Sequence, residues 1–199
     1  MPTPMRKLGI MMLFQWYAMG TYWSYVTYSI SRSVYGTSDA ATSGFRSAVI
    51  TNGTMGASYN AVAFISAIAM MPLVRKYGAR YIHAAALVAG GIGMLLIPQV
   101  ANPIWLYPAA IGVGICWGSI MGTPYVMLAK CIPPQRTGVY MGIFNMMIVI
   151  PMLLNAATLP FYYEPLLHGD ARNALMLAGV LLFCAAIAVM RVRDDELHA

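Results

Sequence analysis

The chain has 199 residues, of which 60% are hydrophobic and only 9% are charged, and its formal net charge is +6. A soluble domain carries about 25% charged residues, so this composition excludes a globular protein whose whole surface faces water. We therefore interpret the chain as an integral membrane protein.

Six stretches of the sequence are apolar and long enough to cross a bilayer, which takes about 20 residues of helix. They lie near residues 8–30, 48–74, 82–98, 104–129, 138–160 and 173–190. The segments between them are too short to hold a soluble domain. The sequence thus predicts an all-α membrane protein with a single six-helix transmembrane domain over residues 1–199.

The basic residues predict the orientation of this domain. Six spans place both termini on one side of the membrane, and nine of the 12 Lys and Arg residues fall on that side. Positive loops face the cytoplasm, so we expect both termini to be cytoplasmic, in a plasma or inner membrane. Because the basic residues are scattered over separate short loops, a nucleic-acid partner is not expected.

Ionisable residues are missing from the middle of every predicted span. All six acidic residues fall in loops or in the C-terminal tail, whereas a buried ionisable group is the usual mark of proton coupling. His83 stands at the start of the third span, and we interpret it as an interfacial histidine, with a proton-transfer role as the alternative. No catalytic, cofactor or metal-binding pattern is present, so an enzyme is not expected.

The first span carries a stripe of polar side chains. Tyr17, Thr21, Ser24 and Tyr28 follow one another at intervals of four, three and four residues, which places them on one helical face. Such groups must face protein or a wet cavity, because lipid leaves them unpaired. Aromatic rings beside hydroxyl groups suit a neutral, polyhydroxylated ligand such as a sugar. Hydrogen bonding between helices is the alternative.

Polar residues also interrupt the second and fifth spans. Asn52, Tyr59 and Asn60 cluster on one side of the second span, and Asn145 and Asn155 are expected to share a face of the fifth. Hydrogen bonding between helices again competes with ligand binding as their role. The candidate substrate contacts are Tyr17, Thr21, Ser24, Asn52, Tyr59, Asn60 and Asn145.

Glycines and prolines mark close helix contacts and bends. Glycines recur at every fourth residue in the fourth span and again at the start of the fifth, a spacing that lets a neighbouring helix approach closely. A proline inside a span bends the helix, and transport proteins build gates from interrupted helices. The candidate packing and gating positions are Gly114, Gly118, Gly122, Pro124, Gly138 and Gly142.

The loop MPLVRKYGARY (71–81) resembles the signature Gly-x-x-x-Asp-Arg-x-Gly-Arg-Arg between the second and third helices of a major-facilitator half. Lys76, Gly78 and Arg80 match this cytoplasmic loop signature, and Arg75 stands in place of the acid. TMGASYNAVAFISA (54–67), residues 118–153 and residues 16–39 are similar to helices seven, eight, ten and eleven of the sucrose/proton and glycoside–cation symporters.

This resemblance implies the C-terminal six-helix half of a major-facilitator fold, built from two inverted three-helix repeats. It implies proton-coupled uptake of a glucoside such as sucrose or maltose. In that family the essential acid lies in the other half, and no position here corresponds to it. An N-terminal transporter half or a second copy would then be the partner, and Met1 would be an internal methionine or the start of a truncated product. The alternative is a non-transporting membrane fragment, or a subunit that binds another membrane protein.

Overall fold

The apolar stretches form helices within a few residues of their predicted bounds, and the predicted all-α fold class is confirmed. The computed structural model describes residues 3–192, and no strand occurs among them. The α-helices are α1 (Thr3–Val34), α2 (Ser43–Tyr77), α3 (Ala79–Leu96), α4 (Leu106–Ile120), α5 (Thr123–Ala129), α6 (Thr137–Tyr163) and α7 (Ala171–Met190). Short 3-10 turns lie at Ile97–Gln99, Pro103–Trp105 and Pro134–Arg136.

Five segments of the described chain are long and apolar enough to cross a membrane. They are α2, α3 with the turn that follows it, α4 together with α5, α6 and α7. α1 has 32 residues, which is ample length, but its Tyr, Trp, Ser and Thr residues lower its hydropathy. This helix is therefore the one predicted span that differs from the others, and its polar side chains need partners inside the protein.

The helices pack in a ring that includes α1. α1 packs along α7 and also contacts α6 and α2, while α3 lies between α4 and α7, and α4 lies against α2. Each helix therefore contacts the next in the order α1, α7, α3, α4, α2 and back to α1, and α6 packs on α1. Apolar side chains of α1 fill the interior of this ring; those fully or almost fully buried include Met5, Leu8, Met11, Met12, Met19 and Ile30.

The glycines of α4 bring this helix against the backbone of α2. A Cβ atom added to Gly114 would lie 2.6 Å from the Tyr59 carbonyl oxygen, and one added to Gly118 would lie 2.5 Å from the Ala63 carbonyl oxygen. These distances are too short for any side chain other than hydrogen. Gly91 makes a similar approach, with its would-be Cβ 2.9 Å from the Gly179 carbonyl oxygen of α7.

The other glycines predicted to pack do not do so. Within the described residues, nothing lies within 4 Å of the position that a Cβ atom would take at Gly122, Gly138 or Gly142. The close approach expected at these three positions is therefore absent from this structure. The spacing of small residues shows where helices can approach, but the neighbour must also be placed there.

The fourth span is interrupted, although the break ends two residues before its proline. α4 ends at Ile120 and α5 begins at Thr123, so the break falls at residues 121–122. Pro124 is the second residue of α5, where the backbone N–H that proline lacks would have no partner within the helix. It therefore follows the interruption and is compatible with it.

The turn between α2 and α3 needs a glycine. Gly78 has a φ of 92°, a region that L side chains rarely adopt, and its N–H donates to the Val74 carbonyl oxygen at 3.0 Å. Arg80 then reaches the end of α7, where its Nη1 donates to the Val192 carbonyl oxygen at 3.1 Å. Two positions of the loop signature thus have structural roles: Gly78 shapes the turn and Arg80 ties it to α7.

An ionic cluster closes the opposite end of the bundle. The Asp170 carboxylate lies 2.7 Å from Arg172 Nη2 and 3.6 Å from Arg32 Nη1, so it joins the start of α7 to the end of α1. Partial burial would raise the pKa of the Asp170 carboxyl. The hydrogen bonds from Arg172 and the charges of both arginines outweigh burial and hold that pKa below its usual range.

We expect Gly118→Val to lower the stability of the protein by about 2 kcal/mol, because the side chain overpacks the α2–α4 contact. Gly142→Val is the matched control, since that glycine has open space around it. Thermal unfolding in detergent, followed by tryptophan fluorescence, measures both variants. Equal unfolding temperatures for the two variants would contradict the assigned contact.

We expect Asp170→Asn to lower the unfolding temperature at pH 7, by an amount equivalent to about 1 kcal/mol or less. Because the folded pKa of Asp170 is depressed, its stabilisation is present above the unfolded pKa of about 4 and disappears as the pH falls through the folded pKa. The two proteins should therefore converge in acid. Asp39→Asn is the matched control, because this carboxylate accepts a hydrogen bond from the Ala41 N–H within its own turn.

Candidate functional site

A polar groove runs along the face that α1 turns toward α6. Its volume is about 430 Å³, within the range of small-molecule sites, about 300–1,000 Å³. Two aromatic contacts stand along it, with ring centroids 4.9 Å apart for Tyr25 and Tyr163 and 5.1 Å apart for Tyr28 and Phe45. The residues that line the groove are Ser24, Tyr25, Tyr28, Asn155, Ala156, Leu159, Pro160 and Tyr163.

The predicted stripe on α1 is divided between two environments. Tyr17 has its hydroxyl oxygen 2.7 Å from Thr158 Oγ1 and 2.6 Å from the Tyr162 hydroxyl oxygen, both on α6. Thr21 is fully buried and accepts a 2.7 Å hydrogen bond from the Asn155 amide. These two residues join α1 to α6, whereas Ser24 and Tyr28 further along the stripe line the groove.

The polar residues of α2 are divided in the same way. Asn52 donates from Nδ2 to Thr27 Oγ1 at 2.9 Å, and the Tyr59 ring meets the edge of the Tyr22 ring at 6.3 Å. Both contacts hold α2 against α1. Asn60 is exposed, and its amide donates to the Gly56 carbonyl oxygen of its own helix at 2.8 Å, so it does not bridge two helices there.

The predicted shared face of Asn145 and Asn155 is wrong. Asn155 is buried against α1, while Asn145 is exposed. Ten residues of α-helix turn the chain about 80° short of three full turns. That angle is enough to separate the side that faces α1 from the side that faces outward.

Three tryptophans form a cluster between α1 and α4. The ring centroids of Trp16 and Trp117 are 6.3 Å apart and those of Trp23 and Trp117 are 5.5 Å apart, both with edge-on geometry. Trp16 and Trp23 are themselves 6.3 Å apart. Trp23 is 38% exposed, so one ring of the cluster faces outward beside Ser24.

His83 is buried inside the protein, which the sequence did not predict. Its side chain is fully buried, with Nδ1 2.8 Å from Ser119 Oγ on α4 and Nε2 2.9 Å from Gln15 Oε1 on α1. Ser119 Oγ lies in turn 3.0 Å from Thr123 Oγ1 at the start of α5. Gln15 and Ser119 are polar residues within apolar runs, which is the sequence signal that could have located this network.

Sequence comparison defines the family. The family model described as the Major Facilitator Superfamily matches residues 3–156, from the start of α1 into the last third of α6. The chain therefore belongs to the major facilitator superfamily and is a membrane transporter protein by family, a class whose members are generally not enzymes. No curated protein and no solved structure matches the chain.

Membership in this family bears on the role of the groove. A transporter binds a small substrate and works within a lipid bilayer, so a ligand-sized groove on the most polar membrane helix is the natural candidate for the substrate site. Within residues 3–192, no group of His, Cys, Asp and Glu side chains is arranged to hold a metal ion.

Proposed function

We propose that this chain is the sugar-binding half of a secondary active transporter, corresponding to the C-terminal half of a sugar/proton symporter. The observation that carries the proposal is the groove between α1 and α6, which places the Ser24 hydroxyl and the Asn155 amide beside the rings of Tyr25, Tyr28 and Tyr163. Ring faces suit the apolar side of a sugar, and hydroxyl and amide groups suit its hydroxyls.

The absence of charged side chains from the groove lining favours a neutral substrate over an ionic one. None of the residues that line the groove is charged, and an ion would lie there without a counter-charge. A glucoside of the sucrose or maltose type has the size and the hydroxyl content that this lining suits. The resemblance of residues 54–67 and 118–153 to sugar symporters supports the same substrate class.

The exposed sides of α2 and α6 support a partner unit. α2 buries Ala48, Met55 and Ala63, and α6 buries Phe144, Pro151, Asn155 and Leu159, while most of their remaining side chains face outward. In the proposed transporter a second six-helix unit, either an N-terminal half or a second copy of this chain, packs on these sides and closes the groove. Both termini then lie in the cytoplasm, on the side that carries most of the basic residues.

A non-transporting membrane subunit is the second candidate. It is favoured by Arg75, which stands where the loop signature has an acid, and by the same outward faces of α2 and α6. Uptake of labelled sucrose and maltose separates the two functions, in cells that make the chain alone or with a matching N-terminal half. Uptake in either case supports the transporter, and failure of both with the protein inserted and stable supports the subunit.

We expect Ser24→Trp to reduce sugar binding or uptake more than tenfold, equivalent to about 1.4 kcal/mol or more, because the indole fills the groove. Ile10→Trp is the control, since Ile10 is an exposed α1 residue outside the groove. Labelled-sugar binding to the purified protein measures both. Binding that survives in Ser24→Trp would show that the sugar site lies elsewhere.

Asn60 does not line the groove between α1 and α6, so it contributes to binding only where the proposed site extends to the exposed side of α2. For such a site we expect Asn60→Ala to lower sugar affinity about two- to tenfold without reducing membrane insertion, as the loss of one hydrogen bond would do. Ser58→Ala is the matched control, because this hydroxyl of the same helix donates to the Thr54 carbonyl oxygen. Affinity and the amount of inserted protein are measured together. Unchanged affinity in Asn60→Ala would remove Asn60 from the site.

A further inference from the structure

His83 is a titratable group, fully buried in the helical bundle, that takes no part in the sugar groove. It lies on α3, which packs against α4 and α7, and its side chain is fully buried. Both ring nitrogens have partners, so the imidazole is held in one orientation between α1 and α4. Polar groups inside the membrane that are held in this way commonly mark ion or proton pathways.

The hydrogen-bond network around His83 is incomplete at Gln15. The Gln15 side chain is fully buried, and its Oε1 is bonded to the histidine, yet its Nε2 has no hydrogen-bond partner. Turning the amide over would place Nε2 against the histidine and leave Oε1 without a partner instead, because the side chain has one partner for two polar ends. The network can therefore take one further polar partner, such as a water molecule, without breaking a bond that it already has.

A cavity of about 280 Å³ leads to the other end of the network. It lies between α2, α4 and α5, and its lining includes Arg75, Gly118, Gly122 and Thr123. Gly122 places no side chain in it, and the helix is interrupted at that residue. Thr123 is therefore both a wall of the cavity and the last hydroxyl of the chain that runs through Ser119 to His83.

We propose that His83 is a proton-binding site, reached from this cavity through the hydroxyl groups of Thr123 and Ser119. The proposal rests on the proposed proton-coupled transport and supplies the ionisable group that the spans otherwise lack. The resemblance to sugar symporters places the coupling acid in the other half of the transporter. His83 is a separate site on this half.

The hydrogen bonds show where the proton goes. In the neutral state Nε2–H of His83 donates to Gln15 Oε1, and Nδ1 accepts from the Ser119 hydroxyl, whose oxygen accepts from Thr123. A proton that arrives from the cavity binds at Nδ1, which then donates to Ser119 Oγ. The two hydroxyls reverse their direction, and the site gains one positive charge with no other atom transferred.

In these surroundings, protonation of His83 changes the conformational equilibrium of the protein. The helices of the described chain contain no Asp or Glu, so an imidazolium here has no carboxylate partner and depends on water and hydroxyl groups. Protonation therefore favours a state in which water reaches the break between α4 and α5. The elements packed around His83 carry further titratable and charged groups. They are Arg6, Lys7, Tyr17, Tyr22, Tyr25, Tyr28 and Arg32 of α1, Arg46, Tyr59, Arg75, Lys76 and Tyr77 of α2, Arg80 and Tyr81 of α3, Tyr107 and Cys116 of α4, Tyr125 of α5 with Lys130 after it, and Arg172 and Cys184 of α7 with Arg191 after it.

The direct test is a histidine titration of the full chain in lipid nanodiscs. Nitrogen-15 spectra of the histidine rings are recorded from about pH 8 downward, for as long as the protein stays folded, and His83→Gln assigns the His83 signals. We expect His83 to take up a proton in the folded protein within that range, as water reaches the break between α4 and α5. A ring that stays neutral at every pH at which the protein remains folded would overturn the proposal.

A second readout follows the break between α4 and α5. Trp117 lies two residues before Ser119, so tryptophan emission should change with pH in the native chain and should lose that change in His83→Gln. His168→Asn, in an exposed loop residue with a φ of 56° that asparagine tolerates, should retain it. If His83→Gln does not fold, Thr123→Val serves instead, because it cuts the hydroxyl chain with little change of shape and should reduce the pH response. An unchanged response in the folded variant contradicts the route.

These readouts do not require transport, so the two proposals fail separately. A titrating His83 in a chain that takes up no sugar, alone or with a partner half, would leave the proton site and remove the transport function. Sugar uptake by a chain whose His83 never takes a proton would leave the transporter and remove this site.

Discussion

A polar group at the depth of the hydrocarbon needs a partner in the protein or in a wet groove, because lipid offers none. In this chain the constraint acts mainly through α1, whose hydroxyl, amide and indole groups occupy more than one face. Asn155 of α6 satisfies the face that carries Thr21, and His83 of α3 satisfies the face that carries Gln15. The position of α6 beside α1, and the contact of His83 with Gln15, therefore follow from the polarity of α1 as well as from apolar packing.

The two faces of α1 link the two proposed sites. Ser24 belongs to the groove beside α6, and Gln15 belongs to the network that reaches the break between α4 and α5. Nine residues separate them on one helix, about 13.5 Å along its axis. In the proposed transporter, a shift of α1 that changes the groove also changes the contacts of His83. Such a shared rigid element provides the physical connection that coupling between two sites requires.

The sequence was sufficient for the features that depend on local composition. Hydropathy located the helices, and the four-residue glycine spacing located a close helix approach at Gly114 and Gly118, though not that the neighbour is α2. The sequence was insufficient where the contacts and burial of a side chain depend on which helix lies beside it. Helix bonding and ligand binding use the same chemical groups, so the stripe could not show that Thr21 bonds to α6 while Ser24 stays open. The burial of His83 was missed for the same reason, since its depth is set by α4 and α7 and not by its place in α3.

The central claim is that one face of α1 lines a substrate groove while another is sealed inside the protein. Single-cysteine variants at Ser24 and at Ala18, made after removal of the three native cysteines, test it by labelling with a membrane-impermeant thiol reagent in lipid. The account predicts rapid labelling at position 24 that sucrose or maltose slows, and no labelling at position 18, which is fully buried. Equal labelling at the two positions, or labelling at position 24 that no sugar changes, would contradict it.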